Sequence, residues 1–168
     1  MPRVAFDALP DHARVFAFAA ERALAPDEQA GLLADVDAFL DGWAAHGAPL
    51  RCGRDFRYDR FLLIAVDERA AGVSGCSIDA LTQTLRQHER KLAVALMDNG
   101  PVLYRSEAGI ARVSRAAFGD LADAGTVSAD TVVFNNTVPD LGTVRSGKWE
   151  TRARDSWHAR VFFREGPG

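Results

Sequence analysis

The stretch with the most chemistry in it is Gly-Val-Ser-Gly-Cys-Ser-Ile-Asp, residues 72–79. Gly72 and Gly75 allow a positive φ or a close backbone approach, and Ser74 and Ser77 are good helix N-caps. The apolar spacing that follows predicts a helix from about Ser77 to Met97, so Cys76 falls at or beside its N-terminus. There the helix dipole and the free N–H groups stabilise a thiolate and lower a cysteine pKa. The same amides suit a phosphate, a carboxylate or an oxyanion. Asp79 opposes this, because a carboxylate in the first turn competes for the positive end. The candidate ligand-binding set is thus Ser74, Gly75, Ser77 and Asp79 around Cys76, set against the blander reading of a small thiol packed at a tight turn.

A nucleophilic cysteine needs a base. His158, in Asp-Ser-Trp-His-Ala-Arg-Val-Phe-Phe, and His46, in Gly-Trp-Ala-Ala-His-Gly, are the candidates. The closing segment reads as strand-like, which puts His158 on one face with Ser156 and Arg160 and turns Asp155 and Trp157 to the other. His46 is expected in the last turn of the first helix, where the dipole favours its protonated form. His88 falls on the inner face of the second helix and reads as a core-edge histidine, and His12 carries no signal. If the chain is an enzyme, Cys76 is the nucleophile, His158 or His46 the base, and the turn amides the oxyanion donors. Cys52, Cys76, His46 and His158 lack the close spacings of zinc sites, so neither a metal nor a cofactor is expected. Asn135-Asn136 reads as turn chemistry that could also offer amides to a ligand.

A second set of motifs points to nucleotide hydrolysis and fails. The run Phe-Leu-Leu-Ile-Ala-Val-Asp-Glu, residues 61–68, has the form of a Walker B strand, and Gly142-Thr-Val-Arg-Ser-Gly147-Lys148 has the spacing of a phosphate loop. But Trp149 stands where a Ser or Thr hydroxyl would hold magnesium, no useful helix is expected after it, and the order of the two motifs is reversed. Asp67 and Glu68 then read as the water-facing end of a buried strand.

The elements that must position these residues follow from periodicity. Residues 13–20 read as a strand; Pro26, Asp27 and Glu28 open a helix whose apolar face is Leu32, Leu33, Val36, Phe39, Leu40 and Trp43, ending at His46 and Gly47. A strand from Leu50 breaks at Gly53 and resumes from Phe56 to Val66, and its continuously apolar residues 61–66 make it the central strand. After the second helix, Pro-Val-Leu-Tyr-Arg is a short strand. The order β-α-β-β-α-β predicts an α+β, two-layer, ferredoxin-like core with a small C-terminal β-α-β extension. In that extension Ser114 caps a short helix carrying Phe118 and Leu121, and a strand runs through Val132 and Phe134. One compact domain over residues 1–168 is expected, with a seam near Asn99 as a possible division into 1–98 and 99–168.

Composition narrows the partners. A net charge of −3 over 168 residues, with arginines scattered among acids, gives no footprint for nucleic acid. Apolar runs are too short for a signal peptide or a membrane span, and two cysteines fit a reducing cytoplasm. The expected partner is a small molecule or a protein, with oligomeric state open.

The stretches Phe-Leu-Asp-Gly-Trp-Ala-Ala-His-Gly, Tyr-Asp-Arg-Phe-Leu-Leu-Ile-Ala-Val-Asp-Glu, Ser-Gly-Cys-Ser-Ile-Asp, Asp-Thr-Val-Val-Phe-Asn-Asn and Asp-Ser-Trp-His-Ala-Arg-Val-Phe-Phe resemble a family of uncharacterised bacterial proteins of similar length. Members of that family sometimes carry the label "ABC transporter ATPase", which the motifs here do not support. Residues 99–138 are also similar to GYF-like modules, in which a strand, a short helix and a glycine turn lead to a D-T-x-V strand. That likeness implies an interaction or adaptor domain, with Trp43, Trp149 and Trp157 either forming a binding surface or packing in the core.

Overall fold

The computed structural model describes residues 3–68 and 75–164. They form an α+β structure that divides into two units, the first comprising residues 1–97 and 139–142, the second 98–138 and 143–168.

The first unit is built on β5 (Phe61–Asp67), the run of residues apolar on both faces. Its neighbours are β1 (Arg14–Ala19) and β4 (Arg51–Arg57), both antiparallel to it, in the order β1-β5-β4. Leu62, Ile64 and Val66 share one face and pack with Leu32, Val36 and Leu40 of α1 (Pro26–Asp41) and Leu81 and Leu85 of α2 (Gly75–Leu92). Fully burying one such side chain contributes about 1.5–3 kcal/mol. Phe61, Leu63 and Ala65 point to the opposite face and are also buried. The N-terminal segment lies on that side: Val4 N donates to Cys52 O at 2.7 Å, and a Cβ added to Gly53 would come within 2.6 Å of Val4 O. Gly53 therefore does not break β4, contrary to the expectation from the sequence; it keeps the strand continuous beneath a crossing chain. The break comes instead at Tyr58 and Asp59, both at positive φ, which separate β4 from β5.

Helix α1 starts as its sequence implies. Pro26 is at the first position, and Glu28 accepts from Ala25 N at 2.8 Å while also pairing with Arg22. It ends at Asp41 rather than at His46. The chain leaves through Gly42 into a two-stranded ribbon, β2 (Ala44–Ala45) and β3 (Ala48–Pro49), turned by His46 (φ 52°) and Gly47 (φ 78°). Two successive positive φ values are the signature of a type I′ hairpin, so Gly47 acts as a turn residue and not as a helix stop. Helix α2 also ends before Met97: Ala93 adopts φ 53°, and Glu89 accepts from Leu96 N at 2.8 Å.

The strand expected to complete the first sheet does not join it. β6 (Val102–Ser106) instead belongs to the sheet of the second unit, ordered β7-β6-β8-β9, with β7 (Gly109–Val113), β8 (Val132–Phe134) and β9 (Glu150–Arg152). Helix α3 (Arg115–Asp123) begins at Ser114, whose side chain accepts from Ala117 N, and brings Phe118 into the core with Val102, Tyr104, Val127 and Val133. A short α4 (Leu141–Arg145) follows β8, and the closing segment is helical, α5 (His158–Phe162), where a strand was expected. The cause is the placement of His158, Phe162 and Phe163 around Phe118, which needs a helical repeat. Among the described residues no helix is long and apolar enough to cross a membrane.

Gly53→Ala should lower the stability of the first unit by about 1–3 kcal/mol, because the new methyl meets backbone that has little freedom to yield. Urea unfolding followed by tryptophan fluorescence measures it; an unchanged midpoint would refute the crossing.

Candidate functional site

The first unit holds most of the residues singled out by sequence. Gly75 and Cys76 are exposed in the first turn of α2, and Cys76 is a free thiol. Ser74 lies outside the described residues. Ser77 is buried and engaged twice: its hydroxyl donates to Ala44 O at 3.0 Å, and its carbonyl accepts from Trp43 Nε1 at 3.0 Å. These bonds tie the start of α2 to the end of the segment after α1, so Ser77 is committed to holding the two helices together. Asp79 is exposed, and its carbonyl accepts from Thr82 Oγ1. A shallow, open depression of about 340 Å3 lies here, lined by Phe39, Gly42, Trp43, Ala44, Cys76, Ser77 and Ala80. His46 is exposed on its hairpin turn and is not among those residues. Cys52 is sealed in the core with Sγ against Leu40 O, and burial pushes its thiol up to about 12.

The Walker-like elements have structural employment. Asp67 pairs with His12 at 3.1 Å and Glu68 with Arg14 at 3.6 Å. Gly142 sits in α4 with its Cα against the backbone of Asp11, a Cβ there falling 3.3 Å from Asp11 O. His88 is buried, and its Nε2 lies 2.6 Å from Asp35 Oδ2.

His158 belongs to the second unit and is only 1% exposed. The expected pairing of faces is replaced by a local clasp. Ser156 Oγ lies 2.6 Å from His158 Nδ1, accepts from His158 N at 3.2 Å, and donates to Ala153 O at 3.2 Å. The imidazole stacks on Trp157 with ring centres 3.8 Å apart and an interplanar angle of 25°. Phe118 meets it edge-on at 6.3 Å. The Arg115 guanidinium sits 4.9 Å over the same indole, with its Nε donating to Gly100 O. Burial first, and the charge of Arg115 second, pull the His158 pKa down to about 4, so the ring is neutral at pH 7.

Arg115, Trp157 and His158 line a cavity of about 100 Å3 together with Asp98, Asn99, Pro101, Leu103, Phe134, Asn136 and Thr137. Asn135 Oδ1 accepts from Thr137 N, a turn bond as expected for that pair. Asn136 does something different: its Oδ1 accepts from Trp149 Nε1 at 2.9 Å, leaving the amide nitrogen without a partner among the described residues. His158 Nε2 has none either. The cavity therefore offers polar atoms with unfilled hydrogen-bonding capacity between aromatic walls. Of the tryptophans, Trp149 is a core residue, Trp43 is buried with an edge on the Cys76 depression, and Trp157 lines the His158 cavity.

No family model, curated protein or solved structure matches the chain. Function is therefore read from geometry. Cys76 and His158 belong to different units, and the bonds of His158 all run within its own. Sequence reasoning missed Arg115 and passed over the Ser156 clasp. The available signal was Ser-Trp-His followed by Phe162, a serine two residues before a histidine that itself lies four before an aromatic, which is helix-start spacing.

Two outcomes are expected. With a thiol reagent at pH 8, Cys76 should react in the native protein and Cys52 only after denaturation, read by mass spectrometry; equal labelling would contradict the burial of Cys52. The second concerns pH. His158 takes a proton near pH 4 when folded and near 6.5 when unfolded. Between those values the unfolded chain binds a proton that the folded chain refuses, so the stabilisation is complete above about 6.5 and declines as pH falls toward 4. Glu28, held at about 2 by Arg22 and Ala25 N, acts only below its ordinary range near 4.5 and leaves this window clear. Melting temperatures at pH 7.5 and 5.0 should differ more in the wild type than in His158→Gln.

Proposed function

We propose that the protein is a binding module, and that its second unit receives one polar group of a partner in the cavity beside Trp157 and His158. The observation that supports this reading is His158 itself, nearly fully buried, clamped through Nδ1, and left with an unpartnered Nε2 on a cavity. Among the described residues the buried side-chain polar atom without a partner is His88 Nδ1 of the first unit; His158 Nε2 instead meets solvent at the cavity, and a group that fills the cavity has to replace that contact. The size argues for a single group and against a large cofactor. About 100 Å3 is close to the volume of three waters, whereas sites enclosing a drug-sized ligand run to roughly 300–1,000 Å3. Phe134 and Trp157 supply rigid contact area, and Arg115, Asn136 and His158 supply direction.

The likeness of residues 99–138 to GYF-like modules agrees with this reading, since Pro101, Leu103, Arg115, Phe134 and Asn136 all fall within it. A cytoplasmic setting fits the two free cysteines. The competing reading, a nucleophilic Cys76, has an accessible thiol in its favour, but among the described residues Cys76 has no hydrogen bond to a base. Its surroundings are a shallow depression with apolar walls at Phe39 and Trp43.

The test is a 15N–1H NMR screen of the whole chain against a library of small fragments and short peptides. Binders should shift the signals of Leu103, Asn136 and Trp157. Shifts confined to Phe39, Trp43 and Ala80 would move the site to the Cys76 depression and overturn the proposal.

A further inference from the structure

The cavity's imidazole has its protonation fixed by the serine beneath it. A hydroxyl owns one proton and two lone pairs. One lone pair of Ser156 Oγ receives His158 N–H. If the proton goes to Ala153 O, the second lone pair accepts from Nδ1–H, and all three contacts are hydrogen bonds at once. If the proton goes to Nδ1 instead, the bond to Ala153 is lost and a lone pair stands empty. The fully satisfied arrangement is the Nδ1–H form. Since the ring is neutral at pH 7, its Nε2 then carries a lone pair and no proton.

Asn136 is oriented by the same reasoning. An indole N–H only donates, so the amide atom that Trp149 Nε1 meets at 2.9 Å is the oxygen. The amide NH2 is left with two donors and no partner among the described residues. The cavity thus presents a bare acceptor at His158, a pair of donors at Asn136, and the guanidinium of Arg115.

We propose that this cavity is a recognition site for a primary carboxamide, whose N–H donates to His158 Nε2 and whose C=O accepts from Asn136 Nδ2. The proposal rests on the binding-module reading above and names the chemistry of its ligand. A carboxylate of the same shape can accept from Asn136 Nδ2 and Arg115, but it has no proton to give and sets a lone pair against that of Nε2. A thioether or alkyl group leaves all the polar atoms unpaired, and an ammonium offers no acceptor to Asn136 Nδ2 and meets Arg115, while Asp98 on the same lining is already engaged by Gly100 N and Arg112. The carboxamide has two sources, a glutamine or asparagine side chain of a partner protein or a small free amide, and the probes separate them.

The experiment titrates the 15N-labelled full chain with the methylamides of N-acetyl-glutamine, N-acetyl-glutamate and N-acetyl-methionine, which are close in size, and with propionamide. Long-range 15N correlation spectra of the His158 ring are recorded throughout. In the free protein the ring should be protonated at Nδ1. The glutamine probe should bind about tenfold or more tighter than the other two peptide probes, moving the Nε2 and Asn136 side-chain signals. Propionamide binding as well as the glutamine probe would assign the site to a free amide, and weaker binding would assign it to a partner chain; either supports the carboxamide. Asn136→Asp keeps an oxygen for Trp149 and removes the donors, so it should abolish the preference for glutamine while leaving the Trp149 environment unchanged. An Nε2-protonated ring would overturn the inference, as would glutamate binding as tightly as glutamine. Tightest binding by the methionine probe at the cavity signals would overturn the carboxamide and leave the binding module standing. Failure of all four probes would also overturn it, and the fragment screen alone would then judge the module.

Discussion

The second unit is organised by the burial of a neutral imidazole among aromatic rings. Phe118 is the ring on which this depends: it lies 5.3 Å from Tyr104 and 4.8 Å from Phe162, and its edge meets His158. Desolvation makes charge at His158 unfavourable, and Arg115, whose guanidinium sits over Trp157, adds to that penalty. A neutral ring must hold one proton on one of two nitrogens, and the Ser156 clasp decides which atom faces inward to the serine and which is left for the cavity. The acceptor that His158 leaves at the cavity is therefore a consequence of core packing and one hydroxyl.

The first unit obeys a different constraint. A strand that is apolar on both faces has to be covered twice. Helices α1 and α2 cover one side of β5, and the N-terminal segment crossing Gly53 covers the other. Ser77 and Trp43 then lock the start of α2 to the ribbon after α1. Cys76 stands next to that lock, exposed, while Cys52 is consumed by the core with its thiol pushed up to about 12. Two cysteines of one chain thus have opposite chemical prospects, and burial is what separates them.

Much of the frame was legible in the chain. Helix α1, the continuous strand β5, the Ser114 cap and the strand through Val132 each rest on local signals: spacing of apolar residues, a capping side chain, a β-branched run. Misreadings came where a local signal had two meanings. Gly47 marks a helix stop or an I′ turn, and the turn won because His46 also adopts a positive φ. Gly53 reads as a break or as room for a crossing chain, which only the partner segment settles. The strand Val102–Ser106 has the composition of a fourth strand for the first sheet, yet it pairs with β7 and β8, since strand composition does not name a neighbour.

The candidate site divides along the same line. By itself the sequence determined the residue types: two cysteines, a Ser-Trp-His run, an Asn-Asn pair, and no arrangement suited to a phosphate loop. It also determined that Cys76 opens a helix, because N-terminal chemistry is local. Only the tertiary structure decided that His158 turns into the core beside Phe118, that Asn136 spends its oxygen on Trp149, and that Arg115 lies over Trp157. Those contacts join residues far apart in the chain, and burial and hydrogen-bond direction are properties of the surroundings a side chain ends in, which spacing along a sequence does not encode.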